Sequence, residues 1–283
     1  MKLISYRKGF WANSVLAERD EIRNVPLVGN GVEVPMTEVE LASKIDGRRI
    51  LLLIHGYNNE RDEIRGAYER IAREMDARGL VGDNAAYHEI LGIVWPGGKL
   101  GVSYAPAKLR ANAMSDAFFA RLRWMTARAA AVDINTHSLG ARVALKALQN
   151  ATPDEPIGST PNAIKIRNLW LTGPALDDES IERGYKFFAA TRAVERVHVI
   201  HSREDEVLRY LFPFGDGGRA LGYQGPFRPQ RIADHSPNVR IVDGSQVVGD
   251  HSAYRKSPEI FSYFARALGG QHYPQFSTLQ PGS

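Results

Sequence analysis

The sequence predicts an α/β fold, with a mostly parallel central sheet and helices on both faces. Three observations carry this. From residue 48 onward, apolar β-rich runs alternate with stretches of helical spacing, as in a chain of β-α units. RRILLLI (48–54) and HEILGIVWP (88–96) are apolar at successive positions, as strands covered on both faces require. The chain has 283 residues, 43% of them hydrophobic, enough for one large core. No stretch between 1 and 270 reads as a linker, so a single domain over 1–283 is expected.

The elements follow in order. The first 47 residues are the least patterned and are expected to add edge strands or a hairpin. RRILLLI is the first clear strand. ERDEIRGAYERIAREMDARG (60–79) sets Ile64, Tyr68, Ile71 and Met75 near helical spacing and stops at Gly79. HEILGIVWP is the next strand, ended by Pro96. Residues 105–130 read as a long helical stretch with room for one break. AAVDIN (130–135) is a strand and LGARVALKALQN (139–150) a helix. ATPDEPIGSTPN (151–162) is a loop by its Pro, Gly, Ser and Thr content. KIRNLWLTG (165–173) is a strand and SIERGYKFFAATRA (180–193) a helix. ERVHVIHS (195–202) and NVRIVDG (238–244) are strands, and PEIFSYFARALG (258–269) is the closing helix. Residues 206–237 form a long glycine-rich, aromatic excursion, a lid or pocket loop. The tail at 271–283 is expected to be frayed.

Composition excludes several functions. With no cysteine, there is no disulfide, thiolate metal site or cysteine nucleophile. The net charge of +4 comes from arginines spread along the chain, without the basic-aromatic blocks of nucleic-acid modules. No window approaches the roughly 20 apolar residues that span a bilayer. The first residues carry no signal-like apolar stretch, so a cytoplasmic location is expected.

The seam at THSLGA (136–141) carries the chemistry. A nucleophilic serine needs an exposed Oγ, a base beside it and donors for an oxyanion. A sharp strand-turn-helix lifts the side chain off the sheet edge and aims the helix N-terminus at developing negative charge. The usual signature is G-x-S-x-G. Here Thr136 replaces the first glycine, Ser138 is the serine and Gly140 keeps the second small position. Ser138 as a plain helix N-cap is the alternative.

LLLIHGYNN (51–59) offers a second set of donors. Gly56 lets backbone approach a substrate, and Tyr57 would supply one N–H, with Leu139 supplying the other. His55 is expected to brace this loop. Trp95-Pro96 ends the next strand. With HGYN, WP and THSLG in this order, the chain resembles an α/β-hydrolase of the esterase/lipase type. It is similar to bacterial proteins of poorly defined function with HGYN, WP and HS-(M/L)-G motifs, over roughly residues 48–268.

That resemblance implies an α/β-hydrolase fold and a triad in which the acid follows the nucleophile and the histidine comes last. Asp205, just past ERVHVIHS, is the acid it implies. Asp177 and Glu204 remain rivals. His251, between the last strand and the last helix, is the base, and His235 is a poorer fit. The implied activity is hydrolysis of small-molecule carboxylic esters through an acyl-enzyme. Thioester or amide cleavage by the same residues, or binding without turnover, is the alternative. No metal-ligand spacing occurs, and no cofactor is expected. Leu208, Phe212, Phe214 and Tyr223 are candidate acyl-pocket residues, with Tyr210, Leu211 and Phe227 nearby. Trp95 and Tyr104 would line the opposite wall, on a loop loosened by Gly97, Gly98 and Gly101. Oligomeric state is not legible.

Overall fold

The computed structural model describes residues 1–98, 104–151, 164, 166–213 and 218–282. The strands are β1 (Lys2–Arg7), β2 (Leu16–Asn24), β3 (Val34–Pro35), β4 (Arg49–Ile54), β5 (Glu89–Val94), β6 (Ala131–His137), β7 (Ile166–Thr172), β8 (Val194–His201), β9 (Val239–Asp243) and β10 (Phe276–Thr278). They form one sheet in the order β10-β9-β8-β7-β6-β4-β5-β1-β2-β3. The pairs β1–β2 and β2–β3 are antiparallel, and the remaining neighbours are parallel. Within the first 47 residues, β1, β2 and β3 extend one side of the sheet.

The helices are α1 (Glu38–Ile45), α2 (Arg61–Asp76), α3 (Tyr104–Ala113), α4 (Ser115–Thr126), α5 (Gly140–Gln149), α6 (Phe188–Arg192), α7 (Leu221–Gln224), α8 (Pro229–His235) and α9 (Pro258–Leu268). Alternation along β4 shows why both faces need cover. Ile50, Leu52 and Ile54 join one core with residues of α1, α3, α4 and α5. Leu51 and Leu53 join the other, with Tyr68 of α2 and Phe261 and Phe264 of α9. This is an α/β-hydrolase-like layering.

Connectivity locates the crevice. From β4 the chain steps to β5 on one side, then returns to β6 on the other. The chain leaves the C-terminal ends of β4 and β6 for opposite faces, α2 packing in one core and α5 in the other, and open α/β sheets place their ligand crevice at such a point. His55-Gly56-Tyr57 follows β4, and Ser138 follows β6.

Several elements differ from expectation. The long helical stretch breaks at Met114 into α3 and α4. Only Phe188–Arg192 of the expected 180–193 helix is helical. Gly184 takes φ +88°, and Glu182 is buried to bond the Arg228 backbone N–H (2.7 Å) and guanidinium (2.9 Å), which holds this segment in turns. Within 206–237 the described residues make a π-helical turn (Val207–Leu211), α7 and α8 rather than open loop. The tail is not frayed at 276–278. β10 pairs with β9, the Leu279 N–H donates to Asp243 O (2.9 Å), and the Gln275 amide bonds Ser236 O (2.8 Å).

Candidate active site

Ser138 takes φ +55°, a left-handed backbone that a non-glycine residue adopts under strain. Its neighbours hold it there. The Ser138 N–H donates to Thr172 O (3.0 Å), and its carbonyl accepts from Ala141 (3.1 Å) and Ala175 (3.2 Å). Space is minimal around the turn. A Cβ on Gly140 would lie 2.6 Å from His55 O, and one on Gly56 would lie 2.9 Å from Ser138 Cβ. Thr136 is tolerated for a different reason. It still belongs to β6, is buried, and its Oγ1 donates across to Trp170 O (3.1 Å) while its carbonyl accepts from Thr172 Oγ1 (2.6 Å). Helix α5 starts directly after, at Gly140. Among the described residues the Leu139 N–H donates to no acceptor.

Asp205 and His251 meet on the same rim. Asp205 follows β8 and is fully buried, and its Oδ2 lies 2.7 Å from His251 Nδ1. Its Oδ1 accepts the Leu208 N–H (3.0 Å). A carboxylate only accepts, so the proton belongs on Nδ1 and Nε2 keeps the lone pair. The Tyr254 hydroxyl, pushed well above its ordinary pKa by burial and then by the Asp205 charge, stays neutral beside the pair. Asp177 is exposed, with its backbone bridged to Ala220, and Glu204 is exposed. His235 ends α8 on the surface.

His137, which the sequence reading did not single out, joins the Ser138 turn to His251. Its ring centroid is 4.6 Å from that of His251, and its Nε2–H donates to the His251 carbonyl (2.7 Å). Burial first, and then the charge of Arg255, drive its pKa well below the ordinary histidine value.

The loop after β4 is braced from beneath. His55 Nδ1 donates to Gly56 O (2.8 Å) and its Nε2 accepts from the Trp95 N–H (3.1 Å). Its ring stacks on Trp95, with centroids 5.7 Å apart, and the indole N–H bonds His55 O (2.7 Å). Arg7, wholly buried on β1, donates to Trp95 O (2.8 Å) and Asn59 O (2.7 Å). Burial and then the Arg7 charge push the His55 pKa well below its ordinary value, so the brace is neutral. Trp95 therefore does not line a pocket wall. It has no exposed surface, because its indole is spent on His55.

Tyr57, Tyr104 and Phe212 form a row of edge-to-face rings, at 5.7 and 6.3 Å. The Tyr104 hydroxyl reaches Ala175 O (3.4 Å), the residue whose N–H holds Ser138. Tyr57, Tyr104 and Tyr223 are half-buried. Leu208 is a correction: it is buried against Gly222, where a Cβ would lie 2.6 Å from it, and it supports the segment from below. Phe214 and Gly101 lie outside the described residues. Among the described residues no group of three or more His, Asp or Glu could hold a metal ion, and no helix is long and apolar enough to cross a membrane.

Residues 36–266 match the family model described as alpha/beta hydrolase of unknown function (DUF900). The chain belongs to this family. No curated protein matches it significantly. Similar solved structures include one from work on LipS and LipT, two metagenome-derived lipolytic enzymes. It is 14% identical, with 81% of this chain and 96% of that one covered, at a TM-score of 0.45. The Pyrococcus furiosus esterase Pf2001 is 15% identical over 79% of each chain, with TM-score 0.42. The Est2 esterase of the planctomycete Thermogutta terrifontis is 14% identical over 88% of each, with TM-score 0.41. Within the DUF900 family, then, this member joins a strained serine turn, a buried carboxylate–imidazole pair and a braced glycine loop on one sheet edge.

Proposed function

We propose that this DUF900 hydrolase cleaves carboxylic esters of small molecules through an acyl-enzyme on Ser138. The observation that carries the reading is the 2.7 Å Asp205–His251 bond, on the same sheet rim as the strained Ser138 turn. His251 Nε2 takes the Ser138 proton as Oγ attacks the ester carbonyl. The oxyanion accepts hydrogen bonds from the N–H groups of Leu139 and Tyr57. His251 returns the proton to the leaving alkoxide, breaking the C–O bond. Water, deprotonated by the same imidazole, then releases the acid and frees Ser138. Asp205 keeps the imidazole in the Nδ1–H tautomer and stabilises the imidazolium. The half-buried Tyr57 and Tyr104 rings favour an apolar or aromatic acyl group, with the buried Phe212 backing Tyr104.

The test is direct. A fluorophosphonate probe should label Ser138 and abolish cleavage of short p-nitrophenyl esters, and Ser138→Ala should do neither labelling nor turnover. Wild-type turnover by Ser138→Ala would remove this mechanism.

A further inference from the structure

We propose that His137 is a positioning residue for His251, clipping the backbone of its turn and walling one side of its imidazole. The inference rests on the assignment of His251 as base made above.

His251 sits on a turn that is otherwise weakly anchored. Gly249 and Asp250 are exposed. Ser252 N and Ala253 N bond back to Asp250, and Arg255 N to Ser252, all within the turn. Among the described residues, the backbone of 249–252 is tied to the rest of the molecule by one bond, from His137 Nε2 to His251 O (2.7 Å). Asp205 holds His251 at one ring atom. A single hydrogen bond leaves the ring free to swing about that contact. The His137 ring, 4.6 Å away and tilted by 48°, limits the swing.

Packing alone does not account for an imidazole here. Burying it removes a polar ring from water, and among the described residues its Nδ1 has no partner. A phenylalanine would fill similar space without that loss. What the imidazole adds is the Nε2–H, and a carbonyl acceptor fixes the proton there. His137 also precedes the nucleophile on β6, so the same rigid strand end sets Ser138 and, through the clip, His251. A Cβ on Gly56 would lie 3.3 Å from His137 Nδ1, so the ring abuts the donor loop as well. The charged and titratable groups acting on it are Arg255, His251 and His55, and together with burial they keep it neutral.

The experiment compares His137→Phe, which keeps a ring but no donor, with His137→Gln, whose amide N–H lies as many bonds from Cα as Nε2. His137→Phe should lower kcat about 10- to 100-fold, as expected for a misplaced base, with KM within about threefold. His137→Gln should recover most of the loss. Wild-type kcat in His137→Phe, or equal defects in both variants, would overturn the inference. In case His137→Phe does not fold, nitrogen NMR of the wild-type imidazoles decides. Nε2 of His137 should carry a slowly exchanging proton, and a bare Nε2 would be fatal to the clip. Ser138→Ala and His251→Ala run in parallel. If they stay active, the functional reading fails; if they are inactive while His137→Phe is not, only the clip fails.

Discussion

The Nδ1 atom of His251 stands 2.7 Å from Oδ2 of Asp205, although 46 residues separate them along the chain. Two neighbouring parallel strands, β8 and β9, deliver that approach. Asp205 is set by the turn after β8, where its backbone N–H bonds Ser202 O and its Oδ1 takes the Leu208 N–H. His251 leaves the rim from β9. The carboxylate is therefore held at both oxygens, by the Leu208 N–H and by the His251 imidazole.

Asp205→Asn tests the pair. An amide fills the same volume, and its oxygen can still accept from Leu208. With that oxygen on Leu208, the NH2 group faces His251 Nδ1, and as a donor it no longer selects the Nδ1–H tautomer. Turnover of a p-nitrophenyl ester should fall by about 10⁴-fold, the loss seen when a triad acid becomes an amide. Circular dichroism should show an intact fold. A loss under about tenfold would remove Asp205 from the mechanism.

Gly56→Ala tests crowding between the donor loop and the elbow. The added Cβ would sit 2.9 Å from Ser138 Cβ and 3.3 Å from His137 O, both on a turn with no slack. One of the two loops must move. Stability should drop by about 1–3 kcal/mol, as overpacking does elsewhere. Serine labelling should slow as well. Thermal melts and probe kinetics on the purified variant read both effects, and unchanged values in both would mean the loops do not meet as described.

The large-scale layout was legible because β4 and β5 carry apolar runs that only doubly covered strands need. Ser138, Asp205 and His251 stood out in the sequence because each follows a recognisable strand, in the order that the family resemblance implies, and the last two lie 2.7 Å apart. Trp95 misled for a physical reason. An aromatic just past a strand end can face the cleft or turn beneath it, and only the His55 carbonyl, 40 residues earlier, decides which. The missing helix at 180–187 depends on Arg228, equally remote. Arg7 left no signal at all. Its two short hydrogen bonds, 2.8 and 2.7 Å, go to backbone carbonyls, which every residue has.

Arg7→Met tests the brace. Among the described residues Arg7 forms no salt bridge. Burial brings its pKa down to about 10, so it remains charged at neutral pH. Methionine relieves the buried charge but leaves the carbonyls of Trp95 and Asn59 without their donor. Each lost partner of a buried group costs about 1–3 kcal/mol, and the relief offsets part of that. A net destabilisation of about 2 kcal/mol is expected from denaturant titration, with slower Ser138 labelling as the loop loosens. A variant as stable as wild type, with unchanged labelling, would show that the loop holds itself.

His198 gives the pH dependence of stability a defined sign. It lies wholly inside, stacked on Trp170 at 4.0 Å, with Nδ1 2.7 Å from the Tyr263 hydroxyl. Burial, then the charges of Arg196 and Arg240, lower its pKa from 6.5 to about 3. Below pH 6.5 the unfolded chain binds a proton there, and the native protein does not until pH 3. The contribution is thus complete above 6.5 and is lost as pH falls toward 3. At pH 5.5 the loss is about 1.4 kcal/mol relative to pH 7.5. His55, His137 and His201, all with lowered values, act in the same direction. His198→Phe removes one such group while keeping a ring against Trp170. The stability gap between wild type and variant should therefore shift by about 1.4 kcal/mol in the variant's favour between pH 7.5 and 5.5. Parallel urea titrations at the two pH values measure that shift. A gap that stays constant would mean His198 is protonated in the native state, with water reaching a ring that the packing encloses.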